Sequence, residues 1–85
     1  MASMYYQVLR KPPAVDYFVI RQLFKLSPQE ANLAILISAG LSLEEIQTTM
    51  RLSRETVRNM LKKVFWKTDT HRQAELAILL LQTVV

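Results

Sequence analysis

Apolar residues recur along most of the chain at helical rather than strand spacing, and the polar residues between them mark where each helix starts and stops. From Val15 to Phe24 the pattern predicts a helix that Asp16 can cap, with Phe18, Val19, Leu23 and Phe24 near one face. Leu26-Ser27-Pro28-Gln29-Glu30 is a start signal. Ser27 suits the N-cap, Pro28 the first helical position, and Glu30 the third, as in a capping box. The second helix then runs to about Ala39 with Leu33, Leu36 and Ile37 as its buried stripe, and Gly40 ends it in a left-handed conformation. Ser42 opens a third, short helix that ends near Met50, with Glu45 three residues after the cap. Ser53 caps a fourth, with Thr56 three residues on, that runs to about Thr68 before Asp69 and Thr70 break it. A fifth covers roughly Arg72 to Thr83. Residues 1–14 show no such period. Tyr5 to Leu9 suit a short extended piece, and Pro12-Pro13 stops any helix. The chain therefore reads as all-α: an irregular segment 1–14, an additional N-terminal helix in 15–25, and a four-helix domain over 26–85.

The junction of the third and fourth helices carries the most information. Ile46 anchors the third, Val57 and Leu61 anchor the fourth, and Arg51-Leu52-Ser53 is a tight turn with an apolar residue inside it. Two short helices joined in this way describe a helix-turn-helix, whose first helix holds the second at a fixed angle for entry into the DNA major groove. At about 100° per residue, Val57, Met60, Leu61, Val64, Phe65 and Thr68 cluster on one side of the fourth helix. Glu55, Arg58, Asn59, Lys62, Lys63 and Trp66 point largely the other way. Arg bonds guanine in bidentate fashion and Asn does so with adenine, while Lys suits phosphate or guanine. Ser53, Thr56 and the free amides at the helix start can hold a phosphate, with Arg54 beside them.

Charge sharpens this picture. The chain carries +4, but Arg51 to Arg72 hold seven cations against two anions, a net +5, and the remainder is −1. From charge alone, a polyanion-binding surface and a solvated basic helix face are both open. Eighty-five residues allow one small domain with a limited core, which oligomerisation often supplements. One Gly and three Pro suit helices, and the absence of Cys removes disulfides and cysteine zinc sites and fits a reducing cytoplasm. No apolar run reaches the roughly 18 residues that span a bilayer, and no secretory signal is visible.

Leu26 to Leu76 resembles the LuxR-type (LuxR/FixJ/GerE) DNA-binding domain. The matching residues are Leu26-Ser27 with Glu30, Ala39-Gly40-Leu41-Ser42, Glu45-Ile46, Ser53 with Thr56-Val57-Arg58, Lys67, and Arg72 with Ala74-Glu75-Leu76. The resemblance implies a four-helix domain in which Arg58, Asn59 and Lys62 read bases. It also implies that Ser42, Ser53, Thr56 and Lys67 lie near phosphates and that the last helix pairs two domains over an inverted-repeat site. Arg54 and Lys63 complete the expected phosphate set. The chain departs from the family at Gln29, Leu43-Glu44, Arg51 and Met60. Arg51 takes a turn position where the family has Gly, at a cost of about 1 kcal/mol. Glu44 brings a negative charge to a place where the family often has a cation.

Other residues have plainer readings. His71 has no neighbouring ligands, so no metal site and no cofactor is expected. Trp66 is expected to lean on a neighbouring helix rather than meet a partner. The run Leu76 to Leu81 is apolar nearly all round, so one face suits the domain core and the other a homodimer, with Leu76, Leu79 and Leu80 as expected contacts. The helix holding Tyr17, Phe18 and Phe24 thickens the core or supplies a second interface. No nucleophile signature or Gly-rich phosphate loop is present, which argues against an enzyme. The expected function is sequence-specific binding of double-stranded DNA as a homodimer that regulates bacterial transcription. The alternative is a protein-interaction module of the same fold that acts on another regulator or on RNA polymerase.

Overall fold

The computed structural model describes residues 15–83. It holds five helices: α1 (Tyr17–Phe24), α2 (Pro28–Ser38), α3 (Leu43–Met50), α4 (Arg54–Thr68) and α5 (Gln73–Gln82). No strand occurs among the described residues. The expectations for residues 1–14, including the extended piece at Tyr5 to Leu9, lie outside the described residues.

Side-chain caps open the first four helices. Asp16 Oδ1 accepts from the N–H groups of Phe18 and Val19 at 2.9 and 3.2 Å. Ser27 Oγ accepts from Glu30 N–H at 3.1 Å, while Glu30 Oε1 accepts from Ser27 N–H at 2.9 Å. Ser42 and Glu45 repeat this reciprocal box at 3.2 and 2.8 Å. At α4 Ser53 Oγ accepts from Thr56 N–H at 3.1 Å. Each such cap contributes about 1 kcal/mol. Arg72 gives α5 no side-chain cap, but Glu75 Oε1 accepts from His71 N–H at 2.8 Å.

The same device ends the first four helices. A left-handed residue is followed by an N–H that reaches back five residues: Leu26 to Arg21, Leu41 to Leu36, Leu52 to Gln47 and Thr70 to Phe65, at 2.9 to 3.1 Å. Only Gly40, at φ +94°, is a glycine. Lys25, Arg51 and Asp69 hold φ of 56–57° with full side chains.

α2 packs against each of the other four helices and is the centre of the core. Because it is met from several sides, its burial is broader than one stripe. Ala31, Leu33, Ala34 and Ile37 are buried, whereas Leu36 is only partly so. Ile20 from α1, Ile46 from α3, Val57 and Val64 from α4, and Leu76 and Leu80 from α5 are fully buried around it.

Three expectations require correction. α1 turns Ile20 inward, with Tyr17 and Phe24 half-buried one turn to either side. Phe18, Val19 and Leu23 face outward instead. Apolar residues lie all round this helix, so spacing alone did not select its buried side. On α5, Leu76 and Leu80 are sealed in the domain's own core and offer a partner no surface; Leu79 is half-buried. The outward apolar residues there are Ile78 and Leu81. Finally, Trp66 leans on no neighbouring helix: 83% of its surface is exposed.

Candidate nucleic-acid interface

α3 and α4 pack on each other and are joined by Arg51-Leu52-Ser53, forming a helix-turn-helix. Buried Ile46 and Val57 and half-buried Leu52 fix the corner from within. Arg51 closes α3 at φ 56°, ψ 47°, donating its N–H to Gln47 O. The Leu52 N–H follows to the same carbonyl at 3.1 Å. The left-handed turn thus sets where α4 begins, and Ser53 caps it at once.

The buried side of α4 is Val57, Leu61, Val64 and Thr68, a period of three and four residues. The Thr68 hydroxyl donates to Val64 O at 2.7 Å and meets the Thr70 hydroxyl at 2.8 Å, so this polar end of the core is satisfied. The exposed surface carries Asn59, Lys62 and Lys63 away from that stripe and Arg54 and Arg58 along its edge, all exposed. None of those four cations is paired with a carboxylate among the described residues. Their charge is directed at solvent.

Two adjoining open concavities flank this face, with volumes of about 500 and 730 Å³. Ser42, Glu44, Gln47, Arg54 and Arg58 line the first, between the start of α3 and the first turns of α4. Arg54, Glu55, Arg58, Asn59 and Lys62 line the second, which runs along α4. Leu43 lies between them and belongs to both. The structure therefore brings Ser42, Arg54, Arg58, Asn59 and Lys62 to one continuous surface. Exposed Ser53 and Thr56 stand at its α4 start, and exposed Lys63 lies one turn beyond Asn59.

The start of α4 differs from those of α2 and α3. In those two helices a Glu carboxylate occupies the N–H of the capping serine. At α4 the third residue is Thr56, whose hydroxyl accepts from Ser53 Oγ at 2.9 Å. The Ser53 N–H has no acceptor among the described residues, which leaves a donor at the positive end of the helix. Glu55 in the first turn partly offsets that positive end.

Lys67 is placed differently from its expected phosphate role. Its ammonium is half-buried and donates to Glu30 Oε1 at 2.7 Å. Burial alone would raise the Glu30 carboxyl. The hydrogen bonds from Lys67 and the Ser27 N–H, with the attraction of the Lys67 charge, outweigh it and hold the group below its ordinary value. Gln47 is the one lining residue that the sequence pattern passed over. Its signal was its place directly after buried Ile46 on the short scaffold helix, where a side chain turns toward the cleft. Glu44 does line the cleft, beside Arg54 and Arg58.

Among the described residues no group of His, Asp and Glu could hold a metal ion, and no helix is long and apolar enough to cross a membrane.

Over 50 residues, 59% of this chain, the sequence is 38% identical to a Streptomyces halstedii protein named "Probable HTH-type transcriptional regulator GfsR". The match covers 21% of that protein, so the chain spans about a fifth of its length. No family model matches the chain, and no solved structure matches it.

Proposed function

We propose that α3 and α4 bind double-stranded DNA as a LuxR-type helix-turn-helix, with α4 in the major groove, and that the chain regulates transcription in a bacterial cytoplasm. The observation that carries this reading is the exposed surface of α4, where Arg58, Lys62 and Lys63, with Arg54 at the helix start, are exposed and unpaired among the described residues. Arg58, Asn59 and Lys62 read base edges. Ser42, Ser53, Arg54, Thr56 and Lys63 hold phosphates on either side. The likeness to a regulator with a helix-turn-helix in its name supports the DNA reading. The matching residues between Leu26 and Leu76 support the LuxR type.

The same reading includes a homodimer. Ile78 and Leu81, one turn apart on α5, present apolar surface on the side away from the core. Pairing there carries two copies of α4 to two half-sites. A protein-interaction module acting on another regulator or on RNA polymerase is the second reading. It is favoured by Phe18 and Leu23 on α1, whose apolar surfaces face solvent.

Fluorescence anisotropy of labelled genomic duplexes at physiological salt tests the first reading. Wild type is expected to select some fragments, and Arg58→Ala to lose that selection. No binding, or equal selection by both proteins, overturns it. A protein partner retained by Arg58→Ala together with Lys62→Ala supports the second.

A further inference from the structure

We propose that Trp66 is a contact to the DNA sugar-phosphate backbone, placed at the wall of the groove that α4 enters. The inference rests on the DNA reading above and adds a residue to it. The chain has one Trp, and it is the most exposed of its large apolar side chains among the described residues. Tryptophan is highly buried on average, whereas this indole stands open on a well-formed helix beside two cations.

Position names that partner. Asn59, Lys62 and Trp66 are spaced by three and four residues, so they form one stripe along α4. Lys62 and Lys63 stand one turn before Trp66, on either side of it, exposed and unpaired among the described residues. A protein surface or a second copy that covered the indole would also have to strip water from these two ammonium groups. DNA instead meets both, Lys62 at base edges and Lys63 at a phosphate. From Arg58 to Trp66 the helix advances roughly 12 Å, about the width of the major groove. With Arg58 and Asn59 at the base edges, Trp66 reaches the level of the flanking strand. Its ring suits the apolar face of a deoxyribose, and its Nε1–H is a donor with no acceptor role, as a phosphate oxygen requires. Such a contact adds affinity without reading sequence.

The single Trp makes the test direct. Wild-type protein is titrated with a mixed-sequence labelled duplex at low salt, following label anisotropy and acrylamide quenching of Trp fluorescence together. Quenching is expected to fall about two-fold or more as the duplex saturates. Trp66→Ala is expected to weaken every duplex by about ten-fold, the scale of one hydrogen bond to a charged group, with an unchanged salt slope. Trp66→Phe falls between, because it keeps a ring and loses the donor. Lys63→Ala, in contrast, lowers the salt slope by about one. A duplex that binds while Trp66 stays as open to acrylamide as before overturns the inference and leaves the DNA reading standing. Protection that follows protein concentration without DNA overturns it in favour of a second copy. Failure of any duplex to bind overturns both.

Discussion

Lys67 Nζ lies 2.7 Å from Glu30 Oε1, and this contact ties the last turn of α4 to the capping box that starts α2. Glu30 is buried and accepts from both Lys67 and Ser27, so one carboxylate serves a helix start and a tertiary contact. The depressed carboxyl stabilises the fold above its ordinary value of 4.5. That contribution is lost as pH falls through the lower folded value. Glu30→Gln keeps the shape and removes the charge, leaving Lys67 half-buried and unpaired. The expected cost at neutral pH is about 1–3 kcal/mol. Thermal melts from neutral pH to well below 4.5 should show the gap between wild type and Glu30→Gln closing as pH falls. A constant gap contradicts the assignment. Lys67→Met should likewise lower stability while leaving the salt slope of DNA binding nearly unchanged, because its charge is already met within the fold.

Arg51 holds a left-handed conformation that glycine adopts freely. Arg51→Gly is expected to stabilise the domain by about 0.5–1 kcal/mol, or a few degrees in melting temperature. Lys25 and Asp69 occupy the same conformation at the ends of α1 and α4 and serve as internal controls. Asp69→Gly should gain most, since it also removes a negative charge from the negative end of a helix. Lys25→Gly and Arg51→Gly give up a favourable cation there. If calorimetry finds that none of the three glycine variants gains stability, backbone strain is not what limits these turns.

The corners of this fold were legible because their chemistry is local. Ser27 with Glu30, Ser42 with Glu45, and Ser53 with Thr56 state where three helices begin, and Gly40 states where one ends. The exposed face of α4 was legible for a related reason. Val57, Leu61 and Val64 form one apolar stripe that Thr68 continues, so Arg58, Asn59 and Lys62 had to face outward. α1 and α5 gave no such contrast. With Phe18 beside Ile20 and an unbroken run from Leu76 to Leu81, the period names no preferred side. Packing against α2 decided it, and it chose Ile20, Leu76 and Leu80. The Lys67–Glu30 pair was invisible for another reason: its partners lie 37 residues apart, and nothing local links them.

Glu44, like Glu55 in the adjoining concavity, carries a charge that opposes the proposed ligand. It lies in the first turn of α3 and lines the concavity beside Arg54 and Arg58. Glu44→Gln should tighten binding to any duplex by removing repulsion. Glu44→Lys should tighten it further and steepen the salt slope by about one phosphate contact. The gain has a structural cost, because an acid in the first turn favours the helix by about 0.3–1 kcal/mol. The two variants should therefore melt slightly lower than wild type while binding more strongly. Unchanged affinity in Glu44→Lys would place the DNA away from this cleft.

The two sides of α5 separate folding from assembly. Leu80 is fully buried, and Leu80→Ala removes core volume, so a loss of about 2–5 kcal/mol is expected. Ile78 and Leu81 are 56% and 46% exposed, so replacing both by Glu should change the melting temperature of the monomer little. If α5 pairs two copies, the same double variant places four carboxylates against one another and prevents association. Sedimentation equilibrium should then find wild type dimeric at concentrations where the variant is monomeric. DNA binding by the variant should persist on a single half-site and lose its gain from a second, correctly spaced half-site. A variant that still forms dimers moves the pairing surface off α5. The outward stripe Phe18 and Leu23 on α1 is then the next apolar face to substitute.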